Sequence, residues 1–255
     1  MLSLIKLVFL FAGILLFGWA VSTVDLTVVG NLIIKLGYGF LIIFLIYLNV
    51  TWLDTVAWQK TFRSDEAHQF SLWDLWRIRQ IGEAYNAITP LGTLGGEPVK
   101  AQLLKERHGL SLKQSMVSQV IARTTFLIAL ILFIIPGTFF TLQSSIISEK
   151  FQMACLAGMG VFSTLIFLFL LFQVTGTLGV LATWFSRLPI GKNKGVFLDK
   201  LKIVDHGISS YYKKHTSRAI TSVLYAFAGW AVGLAELYVT LYFLGYEPSL
   251  IDLWV

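Results

Sequence analysis

Apolar runs of about twenty residues recur along this chain, separated by polar or basic stretches, and no other feature restricts its fold so severely. Hydrocarbon offers no water to the backbone, so a run of that length crosses a bilayer as a helix whose amides and carbonyls bond within the segment. The runs lie near 4–24, 36–56, 120–142, 153–174 and 220–244. The first reads as a retained helix rather than a secretion signal, because its apolar stretch is long and a second follows closely. Composition agrees: 56% of the 255 residues are hydrophobic, 13% are charged and mean hydropathy is +0.74, more apolar surface than one soluble core of this length buries. The expected fold is all-α, a polytopic integral membrane helical bundle of about five full spans within a single transmembrane domain, 1–255.

The placement of charge sets an orientation. With the N-terminus inside, Lys6 and eight cations in each of two long loops, Lys60 to Lys113 and Arg187 to Arg218, are cytoplasmic, while the outer loops keep only Lys35 and Lys150. That asymmetry follows the positive-inside rule and predicts a multi-pass protein of the cell (cytoplasmic, inner) membrane with a cytoplasmic N-terminus. The net charge of +6 is thereby assigned to orientation and anionic headgroups, and nucleic acid is not expected as a partner. Trp19, Trp52, Trp58 and Trp184 lie near the ends of apolar runs and read as interfacial anchors. Cys155 is the single cysteine, so no disulfide framework or thiolate site is expected. His68, His108, His206 and His215 show no metal spacing, and neither a Gly-x-Ser-x-Gly nor a Walker glycine loop occurs. No catalytic residue, metal ligand or cofactor is expected.

The stretch between the second and third runs is different. From Trp73 to Ile88, charged residues alternate with large apolar ones without forming one clean helical face, as in a helix buried among others. It ends in Asn86-Ala-Ile-Thr-Pro-Leu-Gly-Thr-Leu-Gly-Gly-Glu97-Pro98. Pro90 and the glycines Gly92, Gly95 and Gly96 end the arriving helix and permit positive backbone dihedrals, leaving the backbone free to meet a ligand. Pro98 suits the first turn of a new helix that Gly109 terminates, and Ser111 with Gln114 forms a capping box for the next. The spacing predicts a broken-helix segment over 72–109, two half-helices meeting at a turn and dipping into the membrane. A helix N-terminus followed by Lys100 attracts phosphate, while Glu97 beside it requires a pairing with Lys100, Arg123 or a cationic headgroup.

At these residues the chain resembles the transmembrane, flippase-like domain of lysylphosphatidylglycerol synthases. The resemblance rests on Asn86, on Thr89-Pro90-Leu91-Gly92, on Gly95-Gly96-Glu97-Pro98-Val99-Lys100 leading into Leu103-Leu104, and on Arg123 early in the next span. Where the family pattern usually has Arg, this chain has Lys100, which keeps the charge and loses bidentate phosphate geometry. The resemblance implies a lipid headgroup site at Asn86, Pro90, Gly92, Gly95, Gly96, Glu97, Lys100 and Arg123. It implies lipid binding or movement, not lysyl transfer, since nothing here encodes the synthases' soluble domain. Family members continue into helices with a second Pro-Gly-rich turn. The sequence stops at Val255 without it, and the expectation is a short variant, a fragment or a chain that needs a partner membrane subunit.

Other positions carry weaker signals. Glu236 lies past the middle of the last run, where a carboxylate lines a polar pathway or bonds a neighbouring helix. Gly229 and Gly233 form a small-xxx-small pair for close packing. Phe197, Leu201, Val204, Ile208 and Tyr211 recur at helical spacing and predict a cytoplasmic amphipathic helix over 195–212, lying on the lipid surface. The expected function is binding, and translocation (flipping), of a phospholipid or lipid-linked headgroup, with membrane lipid as the partner and self-association or a partner subunit as additions. The alternatives are an intramembrane enzyme on a lipid-linked substrate and an accessory subunit of a lipid-modifying complex.

Overall fold

Local sequence signals set the helix boundaries in the computed structural model, which describes residues 21–89, 95–143, 147–177 and 194–249 with positions 11, 15, 18, 19, 251, 253 and 254. For 194–201 the backbone alone is described. The run 4–24 therefore lies largely outside the described residues, as does Trp184. Asp25 caps α1 (Leu26–Leu36) by accepting the Thr27 and Val28 amides, and Gly37 ends it at φ 49°. The expected second run, 36–56, thus begins at this break and lies almost wholly in the spanning helix α2 (Gly39–Lys60), while α1 before it was not expected. One turn, α3 (Ser64–Ala67), leads to α4 (Leu72–Ile88), which Ser71 caps on the Asp74 amide. α5 (Glu97–His108) carries Pro98 in its first turn and ends at Gly109, whose φ of 68° is left-handed. At Ser111 the side chains of Ser111 and Gln114 exchange hydrogen bonds with each other's amides at 3.2 and 2.9 Å, the reciprocal cap that starts α6 (Leu112–Gln143). α7 (Glu149–Thr175), α8 (Lys194–Lys214) and α9 (Thr216–Phe243) follow.

Among the described residues the fold is all-helical, and α2, α6, α7 and α9 are long and apolar enough to cross a membrane. α2 packs most extensively on α9, and α9 on α6. At one end of the bundle the Ser222 hydroxyl donates to the Ala57 carbonyl and shares a hydrogen bond with Thr125. At the other, Gly39 meets the Phe243 ring and the Lys35 ammonium reaches the Leu244 carbonyl. Lys60, Arg63, Lys113, Lys214 and Arg218 collect at the first end.

Burial is concentrated at that basic end. Trp58, Phe62, Phe70, Leu75, Ile78, Leu104 and Leu110 form one core between α2, α4 and α5, whereas only 6% of α7's apolar window is buried. The spans present their apolar surface outward, as lipid-facing helices do. Arg218 locks α9 to α2 by donating to the carbonyls of Gln59, Lys60 and Phe62 at 3.0 to 3.2 Å, filling the acceptors a helix end leaves open.

Three expectations are corrected here. Trp58 is 5% exposed and belongs to the core, with the Lys100 ammonium 5.9 Å above its ring, so it is not an interfacial anchor. The second half of α8 is not a bare surface connector: Ile208, Tyr211 and Tyr212 are buried against other helices. Tyr211 donates to the Lys60 carbonyl at 2.7 Å, Tyr212 to Gln173 at 3.1 Å and Ser209 to the Val174 carbonyl at 2.8 Å, docking the helix against α6 and α7 and tying it to the end of α2. Of the glycine pair in α9, Gly229 faces Asp54, with 3.0 Å between a built Cβ and that carboxylate, while Gly233 meets nothing within 4 Å.

Candidate functional site

α4 buries Leu75, Ile78, Gly82 and Asn86, which fall on one face of the helix. The stripe escapes a hydrophobicity reading because half of it is glycine and asparagine. Its purpose is close approach to α5. A Cβ on Gly96 would lie 2.0 Å from the Gly82 carbonyl oxygen, and a Cβ on Gly82 would lie 2.2 Å from Cε of Lys100. Gly95 is equally confined, 1.7 Å from the Thr89 hydroxyl. Gly96 itself has φ −83°, and positive φ occurs among the described residues at Gly37, Gly109, Gly176 and Gly245. The expectation of positive dihedrals at Gly95 and Gly96 is therefore corrected: space, not backbone freedom, demands glycine there. Pro90 and Gly92 lie outside the described residues.

The approach of α4 and α5 assembles a chain of charges drawn from four helices. Asn86 closes the corner, its side-chain oxygen accepting the Gly96 amide at 2.6 Å and its amide donating to Glu83 at 3.0 Å. Lys100 donates to Glu83 at 2.8 Å and to Glu97 at 3.3 Å. Arg123, from α6, reaches the same Glu97 oxygen at 2.6 Å. Arg79 pairs with Asp54 of α2 at 2.7 Å. Three carboxylates thus meet three cations, the neutral sum that partly buried charge requires. Burial alone would raise the Glu83 carboxyl, but hydrogen bonds from Lys100 and Asn86, with the charges of Lys100 and Arg79, outweigh it and hold the group below its ordinary value.

The six charged side chains line a cavity of about 310 Å³ together with Trp58, Gln119, Phe126 and Ala226. Access to it is unequal. Lys100 has 6% of its side chain exposed and is held between two carboxylates, whereas Arg123 has 40% exposed. The Gly96 amide, expected to meet a ligand, is occupied by Asn86. Three buried atoms face the opposite situation: two donors, the Trp58 indole nitrogen and the Gln119 amide nitrogen, and one acceptor, the Gln119 side-chain oxygen, have no partner among the described residues. Buried polar groups left in that state stand ready for a ligand or water.

The structure therefore brings together Asn86, Gly95, Gly96, Glu97, Lys100 and Arg123. Glu236 stands apart, ten residues beyond Ala226 on α9 or about 15 Å along its axis. Sequence reading missed Asp54, Arg79, Glu83 and Gln119 as members. Asp54 was the recoverable one, since a carboxylate inside a spanning run marks a functional position by default. Among the described residues no group of three or more His, Cys, Asp or Glu side chains is placed to hold a metal ion.

Comparison with known proteins gives one family match: the model described as the lysylphosphatidylglycerol synthase TM region. Neither the curated proteins nor the solved structures yield a match. The family model covers residues 3–255, spanning every helix that builds the cavity, and the chain belongs to the family of the lysylphosphatidylglycerol synthase TM region.

Proposed function

We propose that this protein binds the polar head of a phospholipid or lipid-linked molecule in the cavity beside Glu97 and Arg123, and carries it across the cytoplasmic membrane while the acyl chains stay in the bilayer. The family supports a lipid-related membrane function. The observation that carries the finer reading is the ion-pair chain itself: six charged side chains gathered at a cavity among helices whose outer surfaces are apolar. Charge at such a place is retained for ligands that need it.

The roles follow from exposure. Arg123, accessible and held at one oxygen of Glu97, is the group for a headgroup phosphate, whose geometry a guanidinium matches. Lys100 acts as the internal counter-ion that keeps Glu83 and Glu97 in place. The Trp58 indole and the Gln119 amide donate to headgroup oxygens, and Glu97 meets a cationic substituent. A headgroup leaving along α9 encounters Glu236. The positive-inside charge distribution supports a cytoplasmic N-terminus and entry from that face.

The test is reconstitution of the purified chain in liposomes with fluorescent lipids of several headgroups. Headgroup-selective movement that Glu97→Gln and Arg123→Gln abolish is the expected result. Equal movement by wild type and both variants would overturn the site. Movement of no lipid by correctly inserted wild-type protein would overturn translocation by this chain.

A further inference from the structure

A second cavity, of about 520 Å³, opens at the basic end of the bundle where the region around α3 meets the start of α6 and the end of α8. It shares no lining residue with the ion-pair cavity. Arg63, Lys113, His206, Lys214 and His215 stand around it, against a single carboxylate, Glu66. That carboxylate is engaged: one oxygen accepts the Arg63 amide at 3.1 Å, and the other accepts the Gln114 side chain at 2.9 Å. Glu66 therefore ties α3 to α6 as part of the wall. Arg63 pairs with exposed Asp65 at 3.3 Å, but no carboxylate of the described residues forms an ion pair with Lys113, His206, Lys214 or His215.

Packing holds this arrangement in place. A Cβ on Gly207 would lie 2.8 Å from Val117 and 3.8 Å from Cε of Lys113, so α8 is seated directly against α6 with the lysine stem at the contact. The Tyr211 hydrogen bond to the Lys60 carbonyl fixes α8 to α2 at the floor. Cations held around a concavity by fixed helices concentrate positive potential there. The volume falls in the range of sites for organic ligands, well above what one small inorganic ion fills. Ammonium groups bind phosphate as point charges, and imidazoles add hydrogen-bond donors.

We propose that this cavity is a binding site for a phosphate-bearing ligand, separate from the headgroup cavity. The phosphate lies between Lys113 and Lys214, with His206 and His215 donating to it, and it belongs either to an anionic phospholipid of the adjoining leaflet or to a soluble organic phosphate.

The experiment measures thermal unfolding of the full chain in nanodiscs. One arm adds inorganic phosphate against chloride at equal ionic strength in phosphatidylcholine discs. The other compares phosphatidylglycerol with phosphatidylcholine discs without free phosphate. Ligand that binds the folded state raises the midpoint with concentration. The double variant Lys113→Gln/Lys214→Gln is expected to need roughly tenfold more phosphate, or phosphatidylglycerol, for the same shift. The exposed pair Lys105→Gln/Arg107→Gln serves as the charge-matched control and is expected to behave as wild type. Stabilisation in the first arm assigns a soluble phosphate, and stabilisation confined to the second assigns a lipid headgroup. No stabilisation in either arm, or an equal loss in the control pair, overturns the proposal. If the double variant does not insert, each single exposed lysine substitution carries the same comparison.

Discussion

Lys100 and Arg123 share one carboxylate and differ in what their loss exposes. Removing the buried Lys100 strands Glu83 and Glu97 without their common cation, so Lys100→Met is expected to cost about 3 kcal/mol of stability, read by unfolding in detergent. Arg123→Gln leaves Glu97 paired with Lys100 and should change stability far less while abolishing headgroup movement. Equal destabilisation by the two substitutions would contradict the division of roles between them. Glu83 adds a pH signature. Its carboxyl is held below the ordinary value of 4.5, so the stability it contributes is fully present above that value and disappears as pH falls through the lowered one. Acid titration of Glu83→Gln is expected to show a shallower loss of stability below 4.5 than wild type. An unchanged slope would mean that Glu83 is not held by Lys100 and Asn86.

The helices can be ranked by what joins them. α4 and α5 touch through glycine, with backbone against backbone. Gly96→Ala would push a methyl group onto the Gly82 carbonyl and is expected to cost about 3 kcal/mol or more, with lipid movement lost alongside stability. Gly233→Ala, in open space on α9, should be close to neutral in the same unfolding measurement. α2 and α9 are joined at the basic end by Arg218, and Arg218→Met, which keeps the apolar stem and removes three donated hydrogen bonds, is expected to lose about 2 kcal/mol. Part of this was readable in advance. Gly109, Pro98 and the Ser111 and Gln114 cap act within a few residues of their own position, and each stands where sequence rules place it. Gly82 and Asn86 were not readable as a packing stripe, because their value lies in what approaches them from another helix.

At the scale of the whole molecule, the protein keeps its tight core at one end and its apolar exposure along the spans. Phe62 is fully buried beside Trp58 and Phe70, while Phe167 in the middle of α7 is 63% exposed. Phe62→Ala is expected to cost about 3–5 kcal/mol, and Phe167→Ala under about 1 kcal/mol, since lipid or detergent replaces the lost contacts. Comparable losses at the two sites would place the stabilising core elsewhere. Legible in the sequence were the membrane-crossing character of the chain, the distribution of charge along it and the helix signals at Pro98, Gly109 and Ser111, though not the Asp25 cap or the break at Gly37. All of these depend on hydrogen bonds and solvation of neighbouring residues. That Lys100 turns inward, that Arg79 meets Asp54 twenty-five positions away and that two separate cavities form follows from the packing of the helices alone. The reason is physical: an ion pair between helices depends on how each is rotated toward the other, and here the missing side chains of Gly82 and Gly96 set that rotation, a cause no single stretch of sequence contains.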